Sequence, residues 1–290
     1  FEVKGRKRYL LDSGDLGRYN RPILKDPEPA KWADWLLLES TYGNRLHAQD
    51  SEEGLCDIIK EVDRQKGCLI IPAFAVGRTQ ELLYTIRKLE DAGSIPTIPV
   101  HVDSPMGIEA TDIYCRHTAE HDFETAALLS AEGCPISSRN MSVHRTPDES
   151  KSINKLKGPL IIISASGMAS GGRILHHLKQ RLPNPDTTVL FAGYQAEGTR
   201  GRLLQDGAKE IKMLGAMVPV RAKIMLLDGF SAHADQGEIL RWLNAFKKPP
   251  QKTYIVHGEP AAAAALAQLI REQLRWPVEI AKLNQKVSLA

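Results

Sequence analysis

Little in this 290-residue sequence points to a membrane, a secreted scaffold or a nucleotide loop. Cysteine is scarce. The four present, Cys56, Cys68, Cys115 and Cys134, are scattered without a Cys-x-x-Cys spacing, which argues against a disulfide framework or a zinc knuckle and predicts free thiols. Long apolar runs are missing too: Leu160 to Ala165 is among the longest and is far too short to cross a bilayer. The opening Phe1-Glu2-Val3-Lys4-Gly5-Arg6-Lys7-Arg8 has no signal-peptide core, so the expected location is cytoplasmic and no membrane partner is expected. Charge of one sign is nearly balanced at a net +3, so any phosphate-binding surface must come from local clustering. No Gly-x-Gly-x-x-Gly or Gly-Lys-Ser/Thr fingerprint is present, which removes the sequence marks of a dinucleotide or Walker site. No two of the nine histidines have His-x-His spacing. His176 and His177 are adjacent, so on a helix their side chains diverge by roughly 100° and do not readily share a metal.

What is present is an ordinary globular composition, 42% hydrophobic and 25% charged with 22 Gly and 17 Pro, without low-complexity tracts or internal repeats. Short apolar strands alternate with amphipathic helices, the pattern of a parallel sheet with helical crossovers. Leu55, Ile58, Ile59 and Val62 mark a helical face, with Asp50 and Glu53 suited to a capping box and Gly67 to a C-terminal stop. Cys68 to Pro72 then reads as a buried strand. Leu82, Leu83, Ile86 and Leu89 form the next stripe, ending at Gly93, followed by the strand Pro99 to Val102 and a helix opened by Ser104-Pro105. Leu160 to Ser164 and Thr188 to Ala192 are further strands, with a helix on Ile174, Leu175, Leu178 and Leu182 between them. Lys223 to Leu227, Thr253 to Val256 and Val278 to Ala281 predict three more strands. Helices on Ile239, Leu240 and Leu243, and on Leu266, Leu269, Ile270 and Leu274, are expected to cover them.

Four short segments carry the chemistry. Ser13-Gly14-Asp15-Leu16-Gly17-Arg18 presents Asp15 between two glycines. Glu39-Ser40-Thr41-Tyr42-Gly43 follows an apolar strand. Ser231-Ala232-His233-Ala234-Asp235 offers a histidine just before a helix. Val256-His257-Gly258-Glu259 ends a strand in a turn, with Pro260 at the helix start and Glu259 placed to orient His257. Taken singly, each has an ordinary structural use: an aspartate turn, a hydrogen-bonded surface histidine, a helix cap. Separately, Ser164-Ala165-Ser166-Gly167-Met168-Ala169-Ser170-Gly171-Gly172-Arg173 joins a strand to a helix. Ser164, Ser166, Gly167, Gly171, Gly172 and Arg173 are therefore candidates to meet a phosphate with amides, hydroxyls and a cation, aided by the helix dipole; a plain tight turn is the alternative. Phe74-Ala75-Val76-Gly77-Arg78-Thr79 is a similar turn, with Arg78 as its candidate RNA contact. Tyr194, Arg200 and Arg202 are weaker candidates. Lys4, Arg6, Lys7 and Arg8 form a basic group on the first strand, equally readable as a solvated face.

In this order and spacing the four segments resemble the β-CASP branch of the metallo-β-lactamase family, nucleases that process RNA ends and, in some members, DNA. Asp103-Ser104-Pro105-Met106 and Ser164 to Met168 resemble internal segments of the β-CASP insertion. The resemblance implies an α/β fold: a partial metallo-β-lactamase αβ/βα layer from residues 1–43 and 223–290, with a doubly wound β-CASP domain inserted at 44–222. It places Asp15 on the metal-bridging aspartate, Glu39 on the acid of motif A, His233 on the histidine of motif B and His257 on that of motif C. Asp15 and His257 are then the expected metal ligands. Glu39 is expected to hold His233 in one tautomer and favour its protonated form, so that His233 donates a proton to the leaving group. A histidine at 257 matches the RNA-processing members, since DNA-processing members typically carry valine there.

The family's His-x-His-x-Asp-His cluster and one further histidine have no counterpart upstream of Asp15. The chain therefore reads as a zinc-dependent RNA-processing ribonuclease without its first half-domain, inactive or severely impaired by itself. Two zinc ions are expected in the complete enzyme, with RNA, expected to be single-stranded, held between the two domains. Homodimerisation is expected on family grounds alone. The other readings are a non-catalytic nucleic-acid-binding or scaffold subunit of a processing complex, and a free-standing nucleotide-binding domain. An opening strand without neighbours in its sheet is expected to expose apolar surface.

Overall fold

A computed structural model describes residues 2–3, 6–47 and 51–289 and resolves the chain into two compact units. The first comprises Phe1–Arg21, Lys25–His47 and Ala232–Ala290; the second comprises Pro22–Leu24 and Ala48–Ser231. The chain opens with a small antiparallel hairpin, β1 (Glu2–Val3) and β2 (Arg6–Lys7), followed by β3 (Leu10–Asp12) and β4 (Trp35–Leu38). Arg6 and Lys7 thus belong to that hairpin and not to the first strand of the sheet, Arg8 pairs with Asp34 at 3.5 Å, and Lys4 lies outside the described residues.

The second unit is built from α1 (Ser51–Gln65), β5 (Cys68–Pro72), α2 (Arg78–Asp91), β6 (Val100–Asp103), α3 (Pro105–Arg116), α4 (Phe123–Glu132), β7 (Met141–Val143), α5 (Pro147–Ile153), β8 (Leu160–Ser164), α6 (Ile174–Arg181), β9 (Thr187–Phe191), α7 (Arg200–Gln205), the hairpin β10 (Glu210–Met213) and β11 (Ala216–Pro219), and β12 (Lys223–Leu226). Six of its strands make an all-parallel sheet in the order β12-β9-β5-β8-β6-β7. Strand alternation sorts their side chains into two cores. Leu69, Ile71, Ile161 and Ile163 face one, with the stripes of α1 and α2; Cys68, Ile70, Leu160 and Ile162 face the other, with Ile174, Leu178 and Leu182. Burial on both faces is why these strands are continuous aliphatic runs. Ile70 is fully buried, so Ile70→Val, which removes one methylene, is expected to lower the unfolding free energy by about 1 kcal/mol with no change in fold, as read by urea titration.

Neighbouring β5 and β8 lead into helices on opposite faces, α2 on one core and α6 on the other. The sheet therefore has a switch point at their C-terminal ends, where parallel α/β sheets form ligand crevices.

Three expectations change. The strand at Lys223–Leu226, expected in the metallo-β-lactamase portion, pairs in parallel with β9, and its Ile224 and Leu226 pack on one core while Met225 and the following Leu227 pack on the other. The second unit accordingly runs on to Ser231. The left-handed residue ending α1 is Lys66 (φ 52°), with the Gly67 amide closing onto the Val62 carbonyl, while Asp50 of the expected capping box lies outside the described residues. Cys115 and Cys134 form a disulfide with Cα atoms 5.5 Å apart. The helical turnback from α3 to α4 brings together cysteines 19 residues apart, which a local spacing rule does not reach. Cys56 and Cys68 are free and buried, and burial pushes the Cys68 thiol up to about 11.

The first unit is completed by α8 (Gln236–Leu243), β13 (Lys252–Ile255), α9 (Pro260–Gln273) and β14 (Val278–Ile280). Its sheet runs β14-β13-β4-β3, all parallel, and packs Leu36, Leu38 and Ile255 against Ile239, Leu243, Leu266 and Ile270 of the two helices. Strand β3 is an edge, and Tyr9, Leu10 and nearby Trp32 are exposed. No described helix is long and apolar enough to cross a membrane.

Candidate metal centre

The C-terminal ends of β3, β4 and β13, adjacent in one parallel sheet, deliver Asp15, Glu39 and His257 to the same place. Beyond β3, Gly14 takes φ 53° and its amide donates to Asp12 Oδ1 at 3.0 Å. Ser13 Oγ accepts from the Glu39 amide at 3.0 Å, tying this turn to the end of β4. Leu16 is buried and its carbonyl accepts from the Ala234 amide at 2.7 Å, which brings the His233 segment alongside Asp15.

At the end of β13, His257 itself has φ 51°, an uncommon conformation for a residue other than glycine. It is followed by Gly258, where an added Cβ would lie 2.6 Å from the Ser40 carbonyl. Ser40 closes the contact by donating from Oγ to the Val256 carbonyl at 2.9 Å and from its amide to the His257 carbonyl at 3.2 Å. The strained turn is thus held by the segment that carries Glu39.

Electrostatically the site has a dry side and a wet side. The Glu39 side chain is 0% exposed, whereas those of Asp15 and His257 are 69% and 57% exposed. Glu39 Oε2 lies 2.9 Å from His233 Nδ1 and 4.0 Å from His257 Nδ1, and Asp15 Oδ1 lies 3.8 Å from His257 Nδ1. The two imidazoles stack with centroids 5.4 Å apart. Thr41 Oγ1 sits 3.1 Å from His257 Nδ1 and 3.4 Å from His233 Nδ1, so the hydroxyl between the rings comes from Thr41. Asp235 caps α8 in a capping box with Glu238, fixing the turn that presents His233. Helix capping and presentation of His233 are therefore both true of this segment.

Ligand atoms of Asp15, His233 and His257 lie within 4.8 Å of one another. One carboxylate and two imidazoles are a donor set suited to zinc. The buried Glu39 Oε1 has no hydrogen-bond partner among the described residues, and an unpaired buried carboxylate oxygen marks a place that favours positive charge. The residues present therefore fit a metal ion. Geometry adds His233 to a donor set from which the sequence reading kept it apart as a proton donor.

The glycine-rich segment of the second unit behaves differently from expectation. Ser164 is fully buried and donates from Oγ to the Asp103 carbonyl at 2.8 Å. Arg173 is clamped: Nη1 donates to Asp103 Oδ1 at 2.7 Å and to the His144 carbonyl, and Nη2 to the Arg145 carbonyl. Arg78 is buried near Glu81 at 3.8 Å. These three residues are committed to internal contacts, because a buried carboxylate or carbonyl competes for any donor within reach. Ser166 Oγ accepts from the Ser170 amide, Gly167 is buried beneath Phe74, Gly171 faces open space and Gly172 holds φ 76°. Arg200 donates to the Ser170 and Lys212 carbonyls, and Arg202 pairs with Asp206.

Sequence reasoning quoted Thr41, Ser13 and Asp103 only as members of their segments and missed their roles, above all that of the buried Asp103 hub, whose Oδ2 receives Ser150 Oγ at 2.6 Å and His177 Nε2 at 2.7 Å. Burial acts to raise the Asp103 pKa, but the bonds from His177, Ser150 and Arg173 outweigh it and hold the carboxyl below its usual value. Burial, with the neighbouring His144, drives His101 down to about 4, and its Nδ1 meets His144 Nε2 at 3.0 Å. Thr41 gave no readable signal, because it lies in the turn that follows the end of β4 at Leu38.

Comparison with known proteins agrees with this geometry. Residues 79–204 match the Beta-Casp domain, and residues 217–281 match the Zn-dependent metallo-hydrolase RNA specificity domain. Similar proteins include Ribonuclease TTHA0252 of Thermus thermophilus, 35% identical over 290 residues, 99% of this chain and 64% of that protein. An RNase J-like protein of Methanocaldococcus jannaschii is 34% identical over 95% of this chain and 64% of its own length. Transcription termination factor FttA of Methanosarcina mazei is 31% identical over 95% of this chain and 45% of its own length. The chain thus spans just under two thirds of the first two relatives. With its doubly wound second unit and its acid and histidine positions at the strand ends of the first, the chain belongs to the β-CASP branch of the metallo-β-lactamase-fold proteins.

Proposed function

We propose that this chain forms the RNA-binding portion, and part of the metal-binding portion, of a zinc-dependent hydrolase of RNA phosphodiester bonds acting on single-stranded RNA. The observation that carries the reading is the meeting of Asp15, His233 and His257 within 4.8 Å beside the buried Glu39. The matching RNA specificity domain supports RNA as substrate. Asp15, His257 and, by its position, His233 would hold the ion, which when bound supplies a water ionised near neutral pH and charge to offset the phosphate. The residues do the rest. Glu39 accepts the Nδ1 proton of His233 and holds the ring in one orientation, leaving Nε2 turned to the other side of the imidazole. From there a protonated His233 can donate to the departing oxygen of the cleaved ester.

Ligand and proton donor are different roles for His233, and one experiment separates them. This chain is loaded with zinc, passed through a desalting column and analysed for metal, and a protein of its relatives' full length is treated likewise and incubated with 5′-labelled single-stranded RNA. Among the described residues only one cluster of three or more donors is found, so at most one zinc per chain is expected; two firmly held ions would contradict this count. His233→Ala that slows cleavage with zinc retained assigns the proton role. Zinc lost together with cleavage makes His233 a ligand. RNA bound but never cleaved by that longer protein, with zinc present, would sink the hydrolase reading in favour of a non-catalytic RNA-binding subunit.

A further inference from the structure

We infer that Phe74 is a stacking platform for one unpaired base of single-stranded RNA, an inference that rests on the RNA reading above and supplies it with a contact. Phe74 lies in the loop after β5, at the switch point of the six-stranded sheet. Sequence alone points to Arg78 as the RNA contact of this loop. In the fold Arg78 is inside and Phe74 is outside, 47% exposed.

The exposure is held in place. Thr79 donates to the Phe74 carbonyl from both its hydroxyl, at 2.8 Å, and its amide, at 3.2 Å. Gln80 Nε2 bridges the Ala75 and Gly107 carbonyls at 3.1 Å each, joining this loop to the start of α3. One side of the Phe74 ring rests on Gly167, where an added Cβ would come within 2.8 Å of Cδ2. The Cδ2–Cε2 edge of the aromatic is therefore backed by the backbone of the 164–173 loop while about half of the residue stays exposed. Val76, exposed in this loop, and Met106, exposed in the first turn of α3, extend the apolar surface.

A fixed aromatic face at a parallel-sheet switch point suits a base, because every base has a π-face and stacking does not require a specific sequence. The rim suits the phosphate that accompanies it. Ser170 is exposed three residues from Gly167, and the Arg200 guanidinium donates to the Ser170 carbonyl at 3.2 Å, placing a cation at the edge of the same loop. Hydrogen bonds of the Arg200 guanidinium to two carbonyls leave its charge unneutralised by those partners.

The test is binding of single-stranded RNA carrying one 2-aminopurine, followed by anisotropy and by quenching of the modified base, without any need for cleavage. Phe74→Ala is expected to weaken binding roughly tenfold and to abolish the quenching. Phe74→Leu, which keeps apolar area but not the π-face, should lose nearly as much, and Phe74→Trp should restore both signals. Thermal unfolding of the variants checks that folding is intact. Affinity within twofold of wild type for Phe74→Ala would overturn the proposal. Full affinity for Phe74→Leu would overturn it too, and would make the patch an apolar contact surface for a protein. Wild-type protein that binds no RNA would instead overturn the RNA reading itself, and this inference with it.

Discussion

Glu39→Gln in zinc-loaded protein extended to the full length of its relatives is expected to slow RNA cleavage by about 10²- to 10⁴-fold, the usual contribution of a general acid, while leaving thermal stability unchanged or slightly higher. The carboxylate is 0% exposed and its Oε1 is unpaired among the described residues. Such a charge is unfavourable to the resting fold, and glutamine removes it with almost no change in volume. Function depends on the same carboxylate, because Oε2 at 2.9 Å is what orients His233. Loss of rate without loss of stability is the mark of a residue kept for chemistry. Single-turnover cleavage and a melting curve measure the two arms. A variant that melts several degrees lower, or cleaves normally, would show Glu39 to be a structural acid.

Asp103→Ala should act in the opposite sense, costing about 3–5 kcal/mol of stability, or on the order of 10 °C in the melting temperature of a unit of this size. It would strip Arg173, His177 and Ser150 of their shared partner in a place where Asp103 and His177 have no exposure at all. The hub also sets a pH dependence. The Asp103 pKa is depressed in the fold, so its contribution is present above the unfolded carboxyl value and is lost as pH falls through the folded one. His101 is held neutral, with its pKa lowered from 6.5 to about 4. The unfolded chain therefore binds a proton between these values that the fold refuses, and stability falls as pH drops from about 6.5 toward 4, by at most about 3 kcal/mol from this group. Urea midpoints from pH 7 down to 4 should show that decline, and His101→Asn should flatten it. An unchanged slope would remove His101 from the account.

Much of the architecture was legible because burial on both faces leaves a strong mark. Leu160-Ile161-Ile162-Ile163 could hardly be anything but an internal strand, and it lies between β5 and β6. The placement of Lys223-Ile224-Met225-Leu226 was not legible, since a four-residue apolar strand reads the same in either sheet and only pairing with β9 decides. Asp15, Glu39, His233 and His257 stand out in the sequence because each sits in a recognisable loop, and the structure brings them together. Arg173 was misjudged for a physical reason. A cation beside glycines resembles a phosphate ligand until a buried carboxylate 70 residues away, Asp103, claims it. The disulfide of Cys115 and Cys134 was hidden in the same way, by a pairing that exists only in three dimensions.

The order of strands in the two sheets has a consequence for the newborn chain. Strand β5 finds its neighbours β8 and β9 only 92 and 119 residues later, and β4 waits 217 residues for β13. At about 5–20 residues per second of synthesis, β5 stays unpartnered for roughly 5–18 s until β8 emerges, and the edge of β4 away from β3 stays open for roughly 11–43 s. Both are apolar segments with free strand edges during that interval, so loop-closure entropy makes their pairing slow and leaves them open to association. Folding yield, more than final stability, is therefore where chaperones should matter for this protein.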